Sequence, residues 1–192
     1  MSGTAQTRRR TASAEVEPAL LRAAETVLDR DGRRGVTIRA VASEAGVSPM
    51  SVYNRFGSLD GLLIALAART FDELAEVLVA RRKLPPERRF RETCRGYRTF
   101  ALEHPERYAL IFSVGSPVKL PASDEASLRG QAAFQHLVDA VTAVGAADGI
   151  EAAQLVWNAL HGAVTIEHAN IGRTPDAAKT YERMITALLR GL

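Results

Sequence analysis

The chain has 192 residues, 46% of them apolar and 24% charged, with a formal net charge of +3. This is apolar content enough for one compact body or two small domains, and no apolar run approaches the roughly 20 residues needed to cross a bilayer, so a soluble, cytoplasmic chain without membrane contact is expected. Cys94 is the only cysteine, which excludes an intramolecular disulfide and a cysteine-based zinc cluster and leaves a small buried apolar residue as its plain reading.

The chain opens Met1-Ser2-Gly3-Thr4 and reaches Arg8-Arg9-Arg10 with no apolar segment behind it, so no secretory signal or anchor is expected. Residues 1–12 read as a flexible basic arm, either solvated or laid against phosphate or the minor groove. Over 16–31, Val16, Leu20, Leu21, Ala24, Val27 and Leu28 share a helical face, and Asp31-Gly32 supplies the stop. Thr37 can cap a short second helix carrying Ile38, Val41 and Ala42, which Gly46 ends. Ser48 and Pro49 suit the cap and first turn of a third, running from Pro49 to about Phe56. Ser58 then caps a long fourth helix with Leu59, Leu62, Leu63, Leu66, Phe71, Leu74 and Leu78 as its stripe, as far as Arg81-Arg82-Lys83 and Pro85-Pro86. Further helices fall near 86–104, 105–114, 124–144, 149–171 and 176–191, separated by Pro105, the Gly115–Pro121 loop, Gly145–Gly149 and Gly172–Pro175. No alternation suggests a strand. The class is all-α, about nine helices.

Residues 37–56 have the layout of a helix-turn-helix. Small Ala42 permits a close crossing, Gly46 can take the positive φ that reverses the chain, and Val41, Val47 and Val52 can close a small core behind it. The outward positions of the second helix, Pro49, Met50, Ser51, Asn54 and Arg55, mix donors with compact apolar groups, as a major-groove edge requires. No acidic residue lies between Glu44 and Asp60. Charge is uneven as well: residues 1–100 carry 18 Lys and Arg against 12 Asp and Glu, and residues 101–192 carry 7 against 10, so the basic half is the one that holds the motif. A plain helical hairpin is the alternative for this segment.

With Gly35-Val36-Thr37-Ile38-Arg39-Ala40-Val41-Ala42, Ala45-Gly46-Val47-Ser48 and Val52-Tyr53-Asn54-Arg55-Phe56-Gly57-Ser58 in that order, the sequence resembles the tetracycline-repressor (TetR) family of bacterial regulators, most densely over residues 20–66. The resemblance implies that Tyr53 touches a DNA phosphate, that Arg39 and Ser51 lie at the groove, and that Thr37 and Ser48 approach the DNA backbone. Leu59 stands where family members often carry a phosphate-binding Lys; amide nitrogens at the start of the fourth helix offer a substitute. Further on, Trp157-Asn158-Ala159-Leu160-His161-Gly162 is similar to the Trp-His-Gly (WHG) C-terminal subfamily, and Glu103-His104-Pro105 followed by Tyr108 and Phe112 fits the same pattern. The family implies an effector cavity, for which Tyr97, Phe100, Tyr108, Phe112, Phe134, Trp157 and His161 are the candidates; the plain reading of aromatics at helical spacing is core.

Helix 149–171 is apolar almost all round, so one face is assigned to the core and the other to a partner. Ala159, Gly162, Ala163 and Ile166 form a narrow small-residue strip, and Tyr181, Met184, Ile185, Leu188 and Leu192 a second stripe on the last helix; paired with their two-fold mates, these predict a homodimer. His161 and His168, even with Glu167 and His136, make no metal site, because two helical turns separate the two histidines by roughly 10 Å. Gly-x-Ser-x-Gly, a phosphate-cradling glycine loop and His-Glu-x-x-His are all missing from the sequence, so neither an enzyme nor a cofactor is expected. The domains expected are the arm (1–12), a DNA-binding unit (13–60) and a helical effector-binding and dimerisation unit (61–192). The function expected is a dimeric repressor released from a pseudo-palindromic DNA operator by a small-molecule effector. An adaptor or ligand-binding module whose helix-turn-helix contacts protein is the alternative.

Overall fold

The computed structural model describes residues 3–79, 83–113, 116–117 and 124–192, with backbone alone for 3–15. The described residues form nine helices and no strand: α1 (Gly3–Gly35), α2 (Ile38–Glu44), α3 (Pro49–Phe56), α4 (Leu59–Val79), α5 (Pro86–Glu103), α6 (Pro105–Phe112), α7 (Glu125–Ala143), α8 (Gly149–His168) and α9 (Ala177–Gly191). The breaks fall where the glycines and prolines predict them. One boundary differs: α1 starts at Gly3, so the segment read as an arm is a helical extension. Between Gly3 and Pro18 the chain holds good helix formers, Ala5, Ala12, Ala14 and Glu15 among them, and neither glycine nor proline. The side chains of Arg8, Arg9 and Arg10 lie outside the described residues, as do Arg81, Arg82 and most of the Gly115–Pro121 loop. Gly32, at φ 68°, breaks the helical run where the Asp31-Gly32 stop was expected.

Local chemistry sets the helix starts. Thr37 Oγ1 accepts from the Ala40 amide at 3.1 Å, Ser48 Oγ from that of Ser51 at 3.3 Å, and Ser58 Oγ from that of Gly61 at 3.0 Å. Asp124, Asp148 and Asp176 do the same for α7, α8 and α9. Each such cap contributes about 1 kcal/mol.

The N-terminal core is built from Leu20, Ala24, Val27 and Leu28 of α1, Val41 and Ala42 of α2, Val52 of α3, and Leu62, Leu63 and Leu66 of α4, all essentially inaccessible. Fully burying one such leucine is worth about 1.5–3 kcal/mol. Val47, expected to help close this core, is 38% exposed; the turn at Gly46 carries the chain outward, and Val41 and Val52 close the crossing without it. α4 then leaves this unit and packs along α7, while α5 is enclosed by α4, α7, α8 and α9. Short α6 spans the junction, in contact with α1, α4 and α5.

Two of the residues assigned to a dimer face turn inward. Tyr181 is 3% exposed and Ile185 fully buried within the single chain. The Tyr181 hydroxyl donates to the Cys94 carbonyl at 2.8 Å, and the Arg98 guanidinium lies over its ring, 5.6 Å from the centroid. The apolar stripe of α9 therefore serves first to cover α5. On α8, Ala152, Ala153, Val156, Leu160 and Val164 are buried, while Leu155 and Ile166 on its other side stand in the open. Gly162 has no atom of the described residues within 4 Å of where a Cβ would project, so its bare backbone faces away from the described helices.

Candidate DNA interface and effector cavity

The reading head is assembled by the turn. Gly46 takes φ 67°, a conformation that costs a side-chain-bearing residue about 1–2 kcal/mol, and this turns α3 so that Val52 points into the core and Pro49, Met50, Tyr53 and Asn54 point outward. Met50 is 62% and Tyr53 48% exposed. Arg39, on α2 beside them, is exposed and has no ion pair among the described residues. Thr37 and Ser48 sit at the helix starts with their oxygens already accepting cap bonds. Ser51 is half-buried, its hydroxyl 3.1 Å from that of Ser48. Arg55, expected as a free groove contact, is ion-paired with Glu17 of α1. This neutralisation is invisible to local spacing because it joins two different helices. At the head of α4, Ser58 engages the Gly61 amide, and Asp60 places a carboxylate in the first turn.

Between α4, α5, α6, α7 and α8 lies a cavity of about 430 Å³. Of the seven residues expected to line it, Tyr97, Phe112, Phe134 and Trp157 do so, whereas Phe100, Tyr108 and His161 stand off the wall. Phe100 packs instead on His104, with ring centroids 5.4 Å apart. Tyr108 and His161 form a second layer: Trp157 Nε1 donates to the Tyr97 hydroxyl at 3.1 Å, the Tyr97 and Tyr108 hydroxyls meet at 3.0 Å, and the Tyr108 hydroxyl lies 2.6 Å from His161 Nδ1. The tryptophan can only donate, so the Tyr97 oxygen accepts from it, and the Tyr97 and Tyr108 hydroxyls and His161 Nδ1 share the remaining protons of the chain. Burial lowers the His161 pKa and pushes that of Tyr97 up to about 12.

Sequence reasoning missed Phe71, Leu74 and Leu78 of α4, Ile111 of α6, and Ser127, Gly130, Gln131, Gln135 and Gln154 along α7 and α8. The α4 residues were legible as an apolar stripe, but periodicity does not say which part of a stripe meets a void. It also missed the link from this cavity to the N-terminal helices. Arg107 of α6 bonds Asp29 of α1, at 2.6 Å from Nη2, and Glu73 of α4, at 2.8 Å from Nη1. Glu73 in turn neighbours Arg69, which bonds the buried Glu25 of α1. Burial raises the Glu25 pKa, and the Glu73 charge adds to the rise. Ile111 and Phe112, on the same helix as Arg107, are cavity wall.

His161 and His168 have separate partners, His168 Nε2 lying 3.0 Å from the Ala101 carbonyl. Among the described residues no group of His, Cys, Asp and Glu is placed to hold a metal, and no helix is long and apolar enough to cross a membrane.

A short outward helix on a glycine turn, joined through α4 and α6 to a helical body with a cavity, defines a helix-turn-helix regulator. The family model for bacterial regulatory proteins of the tetR family matches residues 20–66, and the tetracyclin repressor-like C-terminal domain matches residues 90–188. The chain belongs to the TetR family and is a DNA-binding transcriptional regulator. It is 28% identical over 183 residues to the HTH-type transcriptional regulator Rv0681 of Mycobacterium tuberculosis, spanning 90% of this chain and 79% of that one. A solved protein from Rhodococcus sp. RHA1 shares 27% identity and superposes with a TM-score of 0.80, over 92% of this chain and 95% of the other. The fold is also that of Bacillus subtilis FadR, solved with stearoyl-CoA, at 15% identity and a TM-score of 0.69 over 92% of this chain and 99% of that one.

Proposed function

We propose that this protein is a homodimeric repressor whose two α3 helices read successive major grooves of a pseudo-palindromic operator, roughly 34–36 Å apart, and that a small molecule in the α4–α8 cavity releases it. The observation that carries the reading is the position of α6, whose Phe112 lines the cavity while its Arg107 holds α1 and α4. A ligand that displaces Phe112 acts on the helix that anchors the reading head. Residues 13–60 serve as the DNA-binding unit and 61–192 as the effector and dimerisation unit, with α4 spanning the boundary. Met50, Tyr53, Asn54 and Arg39 contact DNA, with Pro49 and Ser51 beside them, and Thr37 and Ser48 approach phosphates with the amides they cap.

Leu155, Ala159, Gly162 and Ile166 form the centre of the dimer face. Leu155 is 58% and Ile166 47% exposed, an uncovered apolar stripe on a helix whose opposite side is core, and the open Gly162 lets a mate approach backbone to backbone. Ala163 of α8 and Leu188 and Leu192 of α9 extend the face; Tyr181 and Ile185, buried within the single chain, lie outside it.

The test is fluorescence anisotropy with DNA from the region upstream of the protein's own gene, at several salt concentrations. Arg39→Ala and Tyr53→Phe weaken binding without shifting the unfolding curve, and Arg39→Ala flattens the salt dependence by roughly one counterion if it meets phosphate. Unchanged affinity in both variants, or no salt-sensitive duplex binding by the wild type, refutes the reading.

A further inference from the structure

The chemistry of the cavity wall narrows what enters it, on the premise that the cavity is the effector site. Its deep end is ring and branched-chain surface: Phe71, Leu74, Tyr97 and Leu160 are buried, and Phe112 and Trp157 close over them. The ring-borne polar atoms there are engaged with one another. The Trp157 N–H donates to the Tyr97 oxygen, which also bonds the Tyr108 hydroxyl, so that N–H is not open to a ligand. No lining residue among those described carries a charge. The nearby ions are engaged elsewhere: Asp72 with Arg129 at 3.2 Å, Asp139 with the Gln135 amide at 3.0 Å, and Arg98 with Glu167. An ionised ligand group carried inside would lose its hydration and meet no counter-ion, a penalty that binding cannot recover from apolar contact alone.

The open end has a different character. Gln131 and Gln135 of α7 and Gln154 of α8 are exposed lining residues, beside Ile150, which is 69% exposed. They set uncharged amides at a mouth between α7 and α8. Gln154 commits one N–H to Asn158 at 2.8 Å and keeps its carbonyl oxygen and second N–H. We infer that the cavity takes an uncharged, predominantly apolar ring compound, entering between α7 and α8, with any neutral polar substituent held at the glutamine mouth.

A matched pair of probes tests this on the full chain. N-phenyl-1-naphthylamine is neutral, and 1-anilinonaphthalene-8-sulfonate is the same skeleton with a sulfonate added. Trp157 is the only tryptophan and stands on the cavity wall, so energy transfer from it reports probe bound in or near this cavity, and the portion that saturating decalin, an apolar ring competitor that does not absorb, displaces is counted as cavity binding. The neutral probe is expected to saturate at one per chain and quench Trp157, with the sulfonate at least tenfold weaker by the same signal. Gln154→Arg, an exposed change that spares the core, is expected to narrow that ratio severalfold by supplying the missing counter-charge. Equal or tighter Trp157-quenching binding of the sulfonate, or no change of the ratio in Gln154→Arg, overturns the assignment of ligand class while leaving the cavity as a binding site. Failure of both probes to reach Trp157 removes the cavity reading itself.

Discussion

Replacing Arg107 by alanine cuts the described ion pairs by which α6 holds Asp29 of α1, in the DNA-reading unit, and Glu73 of α4, and the geometry sets the size of the effect. The Arg107 side chain is 15% exposed, Glu73 28% and Asp29 40%. A hydrogen bond to a charged group is worth about 1.5–3 kcal/mol when shielded, and an exposed ion pair about 0–1 kcal/mol. The Glu73 contact lies toward the shielded end and the Asp29 contact toward the exposed one. The change also strands Glu73 beside buried Glu25, two carboxylates with Arg69 alone between them. The expected loss is about 1.5–3 kcal/mol, or roughly 3–12 °C in Tm for a chain of this size. Arg107→Lys keeps the charge but not the planar fork that reaches both acids, and recovers part of it. Urea unfolding followed by circular dichroism measures the loss, and a double-mutant cycle with Asp29→Asn assigns it to the contact. In the anisotropy assay the same variant keeps probe binding at Trp157 but loses most ligand-driven release. A loss under about 0.5 kcal/mol, or release that proceeds as in wild type, refutes the clamp.

Three further outcomes follow from named contacts. Gly46→Val puts a β-branched residue at φ 67°, so although no atom of the described residues would clash with its Cβ, the N-terminal unit loses about 1–2 kcal/mol or more and operator affinity falls while the oligomeric state is kept; normal operator binding contradicts the turn. Burial lowers the His161 pKa, so the unfolded chain takes up this proton first: the contribution of neutral His161 is complete above the unfolded value of about 6.5 and fades as pH falls below it. Wild type is therefore expected to lose more Tm between pH 7.5 and 5.5 than His161→Gln does, and equal losses contradict a His161 held neutral by burial. Leu155→Glu combined with Ile166→Glu changes two exposed positions, and light scattering is expected to show folded monomers with weak operator binding; a stable DNA-competent dimer refutes the α8 face.

What the sequence made legible is what a few adjacent residues decide. Ser48 and Pro49 start α3, Gly46 turns the chain before it, and Gly57 ends it at φ 73°, each through backbone chemistry that acts within one turn of helix. The nine-helix order follows from the same punctuation. What failed to show were pairings between distant segments. Arg55 carries the same spacing and the same exposed helical position whether or not Glu17 neutralises it. The α9 stripe has the same 3.6-residue period whether Tyr181 and Ile185 cover α5 or a second chain, because periodicity identifies an apolar face without naming what lies on it. The cavity shows the same limit in reverse. Phe100 and Tyr108 are as aromatic and as inward as Tyr97 and Phe112, yet only the latter pair borders the void, since a void is set by how five helices fail to fill a space. The three glutamines on the α7–α8 side went unread for the same reason, since only the packing, with no charge among the described lining residues, distinguishes a mouth from a core. Amphipathic helices ordinarily put charge at that edge, and it is this departure, uncharged amides beside an exposed Ile150, that supports the entry proposed above for an apolar guest.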